Sequence, residues 1–233
     1  MAAAYRTSVS GGVADSGATT QDSASLTTVS GDVLYAIVAN SDGSPAEPTS
    51  VVFDSGGVAE AFTKVKAFAN YGTYYGASLW RLVGPTAKSA AIRATWSGNQ
   101  GERLIIVAAY SGVDATTPNG TIVETLKTGQ FTPASATATT TAGQLVAAFA
   151  ALASGGSQQS FDSPSGTERA EASTSGTPYD TAAVQDQTAS GSSTTPSNTV
   201  IANVTANTMI VRLRASVRLG QCTLRSSARV SLK

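Results

Sequence analysis

The sequence predicts an all-β protein: a single antiparallel β-sandwich of jelly-roll type with two similar halves. Three observations lead there. Short β-prone runs separated by Gly, Ser, Asn and Pro clusters recur along the 233 residues, and no segment keeps a 3.6-residue apolar period. Charged residues make up only 13% of the chain, about half the usual ~25%, with Thr, Ser, Gly and Ala in their place. Two stretches also echo each other. Gly31-Asp32 opens the apolar run Val33–Ala39, followed by Phe53-Asp54-Ser55; Gly143-Gln144 opens Leu145–Leu152, followed by Phe161-Asp162-Ser163. Gly31 and Gly143 stand 112 positions apart, beyond the roughly 20–50-residue period of solenoids and propeller blades. The spacing suits two halves of one sandwich, each supplying a buried central strand.

In order, the first half predicts strands over Tyr5–Val9, Ser25–Val29, Val33–Ala39, Ser50–Phe53, Ala61–Phe68, Ala77–Val83, Ala90–Trp96 and Arg103–Tyr110. Turn formers stop them where strands need to end: Ser41-Asp42-Gly43-Ser44-Pro45, Val83-Gly84-Pro85 and Ser97-Gly98-Asn99-Gln100-Gly101. In Ala77–Val83, Trp80 and Leu82 share one face and mark it as the core side. Arg103–Tyr110 is apolar nearly throughout and reads as a central strand covered on both faces. After Thr117-Pro118-Asn119-Gly120, the second half predicts Thr121–Leu126, Ala134–Thr140, Leu145–Leu152, Thr167–Ala172, Thr181–Thr188, Val200–Val204 and Thr208–Leu219. The Ala-rich run Ala147–Ala153 could form helix, but its echo Val33–Ala39 is β-branched, so both read as strand. Ser154 to Asn198 is poor in large apolar residues and reads as loops and edge strands. Trp80, Leu82, Ile105, Val107, Leu145 and Phe149 are expected to share one core. The domain reading is one sandwich over residues 1–219, with 1–30 as N-terminal strands, and a basic C-terminal arm over 220–233.

The formal charge is zero but unevenly placed. Residues 1–211 hold nine basic and fifteen acidic side chains, whereas residues 212–233 hold Arg212, Arg214, Arg218, Arg225, Arg229 and Lys233 and no acid. The alternation of Met209, Val211, Leu213, Ala215, Val217 and Leu219 with Arg212, Arg214 and Arg218 gives one apolar and one basic face, expected to close the sheet as its last strand. Arginine makes bidentate contacts with carboxylates and phosphates. With an acidic body and no aromatic platform beside the arginines, these six cations read as a partner-binding arm for an acidic neighbouring subunit, and nucleic acid is disfavoured. Tyr71, Tyr74 and Tyr75 crowd one strand connection. They form a candidate recognition loop for sugar or protein, or else a cover over the end of the core.

Several chemistries are excluded. With no histidine, Ser-His-Asp and Cys-His sites and His-ligated metals are impossible. The lone Cys222 excludes an internal disulfide and reads as a small buried hydrophobe. Glu168 and Glu171 form the one close Glu pair, and in a regular strand their spacing puts them on opposite faces, against a two-carboxylate glycosidase. Asp32, Asp54, Asp114 and Asp162 sit beside turns and read as turn formers more than calcium ligands. No Gly-rich loop carries a Lys-Ser/Thr pair for phosphate. No catalytic residue, metal or cofactor is therefore expected. No apolar stretch reaches 18 residues and the N-terminus lacks a secretory pattern, so neither a membrane span nor export is expected.

The order Gly31-Asp32 plus apolar strand, Ser78-Leu79-Trp80-Arg81-Leu82, Pro85, then Tyr110-Ser111-Gly112-Val113-Asp114 with Thr116-Thr117-Pro118 resembles a diffuse family of jelly-roll-like β-sandwich proteins found in bacteriophage virions and on bacterial surfaces. The resemblance spans roughly residues 25–215 and implies a structural or adhesive role without shared catalytic residues. The expectation is a non-enzymatic virion protein, made in the host cytoplasm and carried on the particle exterior. Capsid decoration or cement comes first, and a tail or baseplate accessory second. The partners expected are virion proteins and further copies of itself. The alternative is a carbohydrate-binding adhesin with a glycan partner.

Overall fold

A strand that is apolar nearly throughout must be covered on both faces, and the strands that begin at Val33, Glu102 and Leu145 meet that demand. The structure, a computed structural model, describes residues 1–13, 17–41, 45–67, 76–129, 134–154, 157–175, 179–200 and 204–215. Among these every regular element is a strand. The first half contains β1 (Ala4–Val13), β2 (Ala18–Asp22), β3 (Leu26–Thr27), β4 (Val33–Ser41), β5 (Ser50–Phe53), β6 (Glu60–Ala61), β7 (Thr63–Ala67), β8 (Gly76–Val83), β9 (Ser89–Ala90), β10 (Ile92–Gln100) and β11 (Glu102–Ser111). The second contains β12 (Asn119–Gly129), β13 (Ala134–Ser135), β14 (Ala138–Thr139), β15 (Leu145–Ser154), β16 (Phe161–Asp162), β17 (Thr167–Ser173), β18 (Tyr179–Thr188), β19 (Ser193–Thr194), β20 (Ser197–Val200) and β21 (Val204–Leu213).

The halves correspond sheet for sheet. The first builds a five-stranded sheet in the order β1-β11-β4-β8-β7, and the second repeats it as β12-β21-β15-β18-β17. The smaller sheets match too, β2-β10-β5 against β13-β20-β16 and β3-β9 against β14-β19, with β6 unmatched among the described residues. All pairings are antiparallel.

The two five-stranded sheets face each other. Tyr35, Ile37, Leu79, Leu104 and Ile106 of one meet Leu145, Phe149, Val184, Val211 and Leu213 of the other in a central core. The opposite face of the first sheet, with Leu34, Val38, Trp80, Ile105 and Val107, packs on Val51, Phe53, Ile92 and Trp96. The opposite face of the second places Val146 and Ala148 on Ala136 and Ala138. The antiparallel sandwich thus lies at the centre, with a further sheet outside each layer. This corrects one expectation. Trp80, Leu82, Ile105 and Val107 belong to the first half's outer core, while Leu145 and Phe149 belong to the central one. Both faces of the sheet are buried, so a strand's even and odd positions enter different cores.

At the sheet edges β1 runs beside β17, with the Ser8 hydroxyl donating to the Arg169 carbonyl at 2.7 Å. On the far side Lys66 of β7 pairs with Glu124 of β12 at 2.7 Å. Because β1 corresponds to β12 and β7 to β17, exchanging the halves exchanges these contacts, as an approximate two-fold requires.

The echo seen in the sequence is a shared turn. Gly31 and Gly143 have φ of 87° and 84°, a region that favours glycine. The Asp32 carboxylate accepts from the Val29 amide at 2.8 Å, and the Gln144 side-chain oxygen accepts from the Thr141 amide at 2.8 Å. Gln144 therefore does in the second half what Asp32 does in the first.

Two further expectations change. Tyr179–Thr188 is an interior strand, not an edge, because small residues from Thr181 to Asp186 let both faces be covered. The last strand, β21, lies inside its sheet between β12 and β15 and does not close it.

Candidate functional site

The chain start, the connection between the halves and the exit of the last strand converge at one end of the central core. The joint is the segment Tyr110–Pro118. Tyr110 is buried between the sheets, with its ring edge-on to Tyr5 and Tyr35 at centroid distances of 6.0 and 6.1 Å. Gly112 has φ 67° and packs against the Ala2 carbonyl so closely that a side chain would collide. Val113 is buried and bridges Ala215. Asp114 accepts from the amides of Thr116 and Thr117 at 2.7 and 3.0 Å, closing the turn. Those bonds, the Thr117 one foremost, hold its carboxyl below the usual range, and the Arg214 charge adds to them. Tyr110, Gly112, Val113, Asp114, Thr116 and Thr117 of the Tyr-Ser-Gly-Val-Asp…Thr-Thr-Pro pattern thus serve the joint.

Two clefts open beside this joint, sharing Ala3 and Leu145. The larger, about 630 Å³, lies between the start of β1, the start of β17 and the end of β18. Arg169 spans it. Its Nε and Nη2 donate to the two oxygens of Asp186 at 2.8 Å each, and its guanidinium lies 4.1 Å from the Tyr5 ring centroid. A bidentate pair with an aromatic under the cation is a rigid arrangement. The hydrogen bond to Asp186 holds the Arg169 pKa above its ordinary value. Ser165, Thr167, Gln187 and Thr188 complete a neutral, hydroxyl-rich wall.

The smaller cleft, about 480 Å³, is lined by Asp114, Thr117, Gln144, Arg212, Arg214 and neighbouring small residues. Here the structure unites two of the predicted arm residues. Arg212 donates from Nη1 to the Thr139 carbonyl at 3.3 Å, and its Nε is buried with no hydrogen-bond partner among the described residues. The guanidinium rests against Gly120, where a Cβ would collide with it. Arg214 is exposed. Arg218, Arg225, Arg229 and Lys233 lie outside the described residues, as do Tyr71, Tyr74, Tyr75 and Cys222.

Comparison with protein-family models, curated proteins and solved structures returns no match.

The Glu168–Glu171 expectation is corrected. A bulge between Glu168 and Ala170 shifts the register and puts both carboxylates on the outer face, paired with Gln185 and Ala183. Burial raises the Glu171 pKa; the Phe161 amide, donating at 2.9 Å, offsets part of that, and the charges of Glu168 and Asp162 add to it. Among the described residues no group of three or more Asp, Glu, Cys or His is arranged to hold a metal.

At the opposite end of the central core Asp180 of β18 is fully buried, and neither carboxylate oxygen has a partner of good hydrogen-bond geometry among the described residues. Burial pushes its pKa well above the usual range, the nearby Ser41 hydroxyl offsets part of that, and the facing charge of Glu102, itself 4% exposed, adds to it.

Sequence reasoning missed Tyr5, Arg169, Asp186 and Gly120. Asp186 offered a signal: an acid at the end of a strand of small residues needs a cation if that strand is interior.

Proposed function

We propose that this chain is a non-enzymatic structural protein of a bacteriophage particle exterior, a capsid decoration or cement subunit that docks on acidic surfaces of virion proteins and on further copies of itself. A tail or baseplate accessory would use the same docking chemistry. The observation that supports this reading is the smaller cleft, where Arg212 and Arg214 converge at the point from which the rest of the basic arm departs. Strand order adds support. Taking β1, β2, β4, β5, β6, β8, β10 and β11 as strands one to eight, the sheets run 1-8-3-6 and 2-7-4-5, the order expected of a jelly roll, an architecture frequent in capsids and lectins.

The test is co-sedimentation of purified protein with particles stripped of it. Binding that weakens steeply with salt and is lost on removing residues 216–233 supports docking; salt-insensitive binding or none contradicts it.

A carbohydrate-binding adhesin is the second reading, favoured by the neutral, hydroxyl-rich larger cleft. A glycan array decides it. Specific sugar binding abolished by Thr167→Ala or Gln187→Ala, with no particle binding, would replace the first reading.

A further inference from the structure

We propose that the smaller cleft at the joint is a recognition site for a single carboxylate, presented by an Asp or Glu side chain of a partner protein and gripped between Arg212 and Arg214. The inference rests on the docking function proposed above and names the group docked.

Most cations among the described residues already have a counter-charge. Arg6 pairs with Asp32, Lys64 with Glu47, Lys66 with Glu124, Lys88 with Asp54 and Glu60, Arg93 with Asp22 and Arg169 with Asp186. Arg212 and Arg214 have no ion pair among the described residues, yet they line the same cavity. The sole carboxylate lining it, Asp114, is committed to the Thr116 and Thr117 amides.

The Arg212 guanidinium is also held in place. Gly120 leaves room for it, the Thr139 carbonyl anchors one terminal nitrogen, and its Nε is a buried donor with no acceptor among the described residues. A buried unpaired donor costs free energy that an acceptor entering the cleft recovers. Guanidinium donors lie in a planar fork that matches a carboxylate. Charge selects the ligand further. Two guanidiniums against the Asp114 carboxylate leave the cleft at net +1, which a singly charged carboxylate balances and a doubly charged phosphate overshoots.

The test is a titration of the full-length ¹⁵N-labelled protein with propionate at low ionic strength, followed through the Arg Nε–H and backbone amide resonances. Propionate, with one carboxylate, stands in for an acidic side chain, and inorganic phosphate serves as the parallel arm. The expected result is a saturable shift of the Arg212 Nε–H and Gly120 amide signals, with the Arg93 Nε–H unmoved. Arg214→Gln should weaken propionate binding at least five-fold, and Gly120→Ala, which displaces the guanidinium, should abolish the Arg212 shift while other resonances stay in place. Phosphate should bind more weakly than propionate. Absence of saturation, an equal response at Arg93, or tighter binding of phosphate would overturn the carboxylate site. If propionate binds as expected but the Arg214→Gln protein still co-sediments fully with particles, the site stands and the docking function falls.

Discussion

Between its large sheet and its outer sheet the first half buries Phe53, Trp80, Trp96, Ile92 and Leu34, and its outer sheet has four strands of up to nine residues. On the equivalent side of the second half the described buried residues are smaller, Ala136, Ala138, Val146, Ala148, Ala150 and Leu152 with Phe161, under three strands of two to four residues. Both halves nevertheless present the same kind of apolar face to the centre. Alanines such as Ala147, Ala151 and Ala182 lie there beside Tyr35, Ile37 and Phe149. The difference teaches that the shared face constrains both halves together, while each outer face is constrained only by its own cover. The turn before the central strand makes the same point. Asp32, fully buried, needs Arg6 as counter-charge at 2.8 Å, whereas the neutral Gln144 caps its turn without one.

The largest effect should come from the aromatic outer core. Trp96→Ala is expected to cost about 3–5 kcal/mol in urea unfolding, since it opens a cavity and strands the Ala46 carbonyl that its indole satisfies. Trp80→Ala should fall in the same range, and a loss below about 1 kcal/mol at either site would break the contrast between the outer cores. Overpacking the shared face comes next. Ala147→Leu should destabilise by roughly 1–3 kcal/mol because its fully buried site lies in the core shared by both sheets. Little change there would mean the sheets are not in register-fixed contact.

Asp180 provides the pH dependence. Its folded pKa is raised, so the native state holds a proton that the unfolded chain releases near pH 4. Its contribution is fully present below that range and is lost as pH rises to the folded value, at up to about 1.4 kcal/mol per pH unit. Asp180→Asn, which keeps the neutral shape, should raise the urea midpoint at pH 8 and leave a much smaller gain at pH 4.5. Equal gains at both pH values would refute a buried proton. The smallest effect should be at the turn. Arg6→Gln in the parent should cost on the order of 1–2 kcal/mol by leaving Asp32 unpaired, less than a fully buried pair because Arg6 is partly exposed. In an Asp32→Asn background, which imitates the second half, the same change should cost almost nothing.

Much of this organisation is legible in the chain. The Gly31-Asp32 and Gly143-Gln144 echoes mark equivalent turns, and unbroken apolar runs at Arg103–Tyr110 and Leu145–Leu152 announce strands covered on both faces. The separate cores were harder to read, because alternation in Ala77–Val83 is visible yet does not say that both sides are buried. β2, Ala-Thr-Thr-Gln-Asp, carries no apolar alternation and is held instead by pairing with β10. The interior position of β18 is concealed by Thr, Ala, Gln and Asp, whose burial depends on partners far along the chain, such as Arg169 for Asp186. Similarly, Gly120 acquires meaning only when the fold brings Arg212 against it.

The central claim is that the halves fold as one unit around the shared core. Both tryptophans, Trp80 and Trp96, lie in the first half, so their fluorescence reports that half alone. Native-state hydrogen exchange of the β15 and β18 amides reports the other. Followed together through increasing denaturant, the most protected amides of β15 and β18 should open with the same free energy and the same denaturant dependence as the fluorescence transition. Opening of those amides at a clearly lower free energy, with the tryptophan signal still native, would show that the second half unfolds alone and would contradict the shared core.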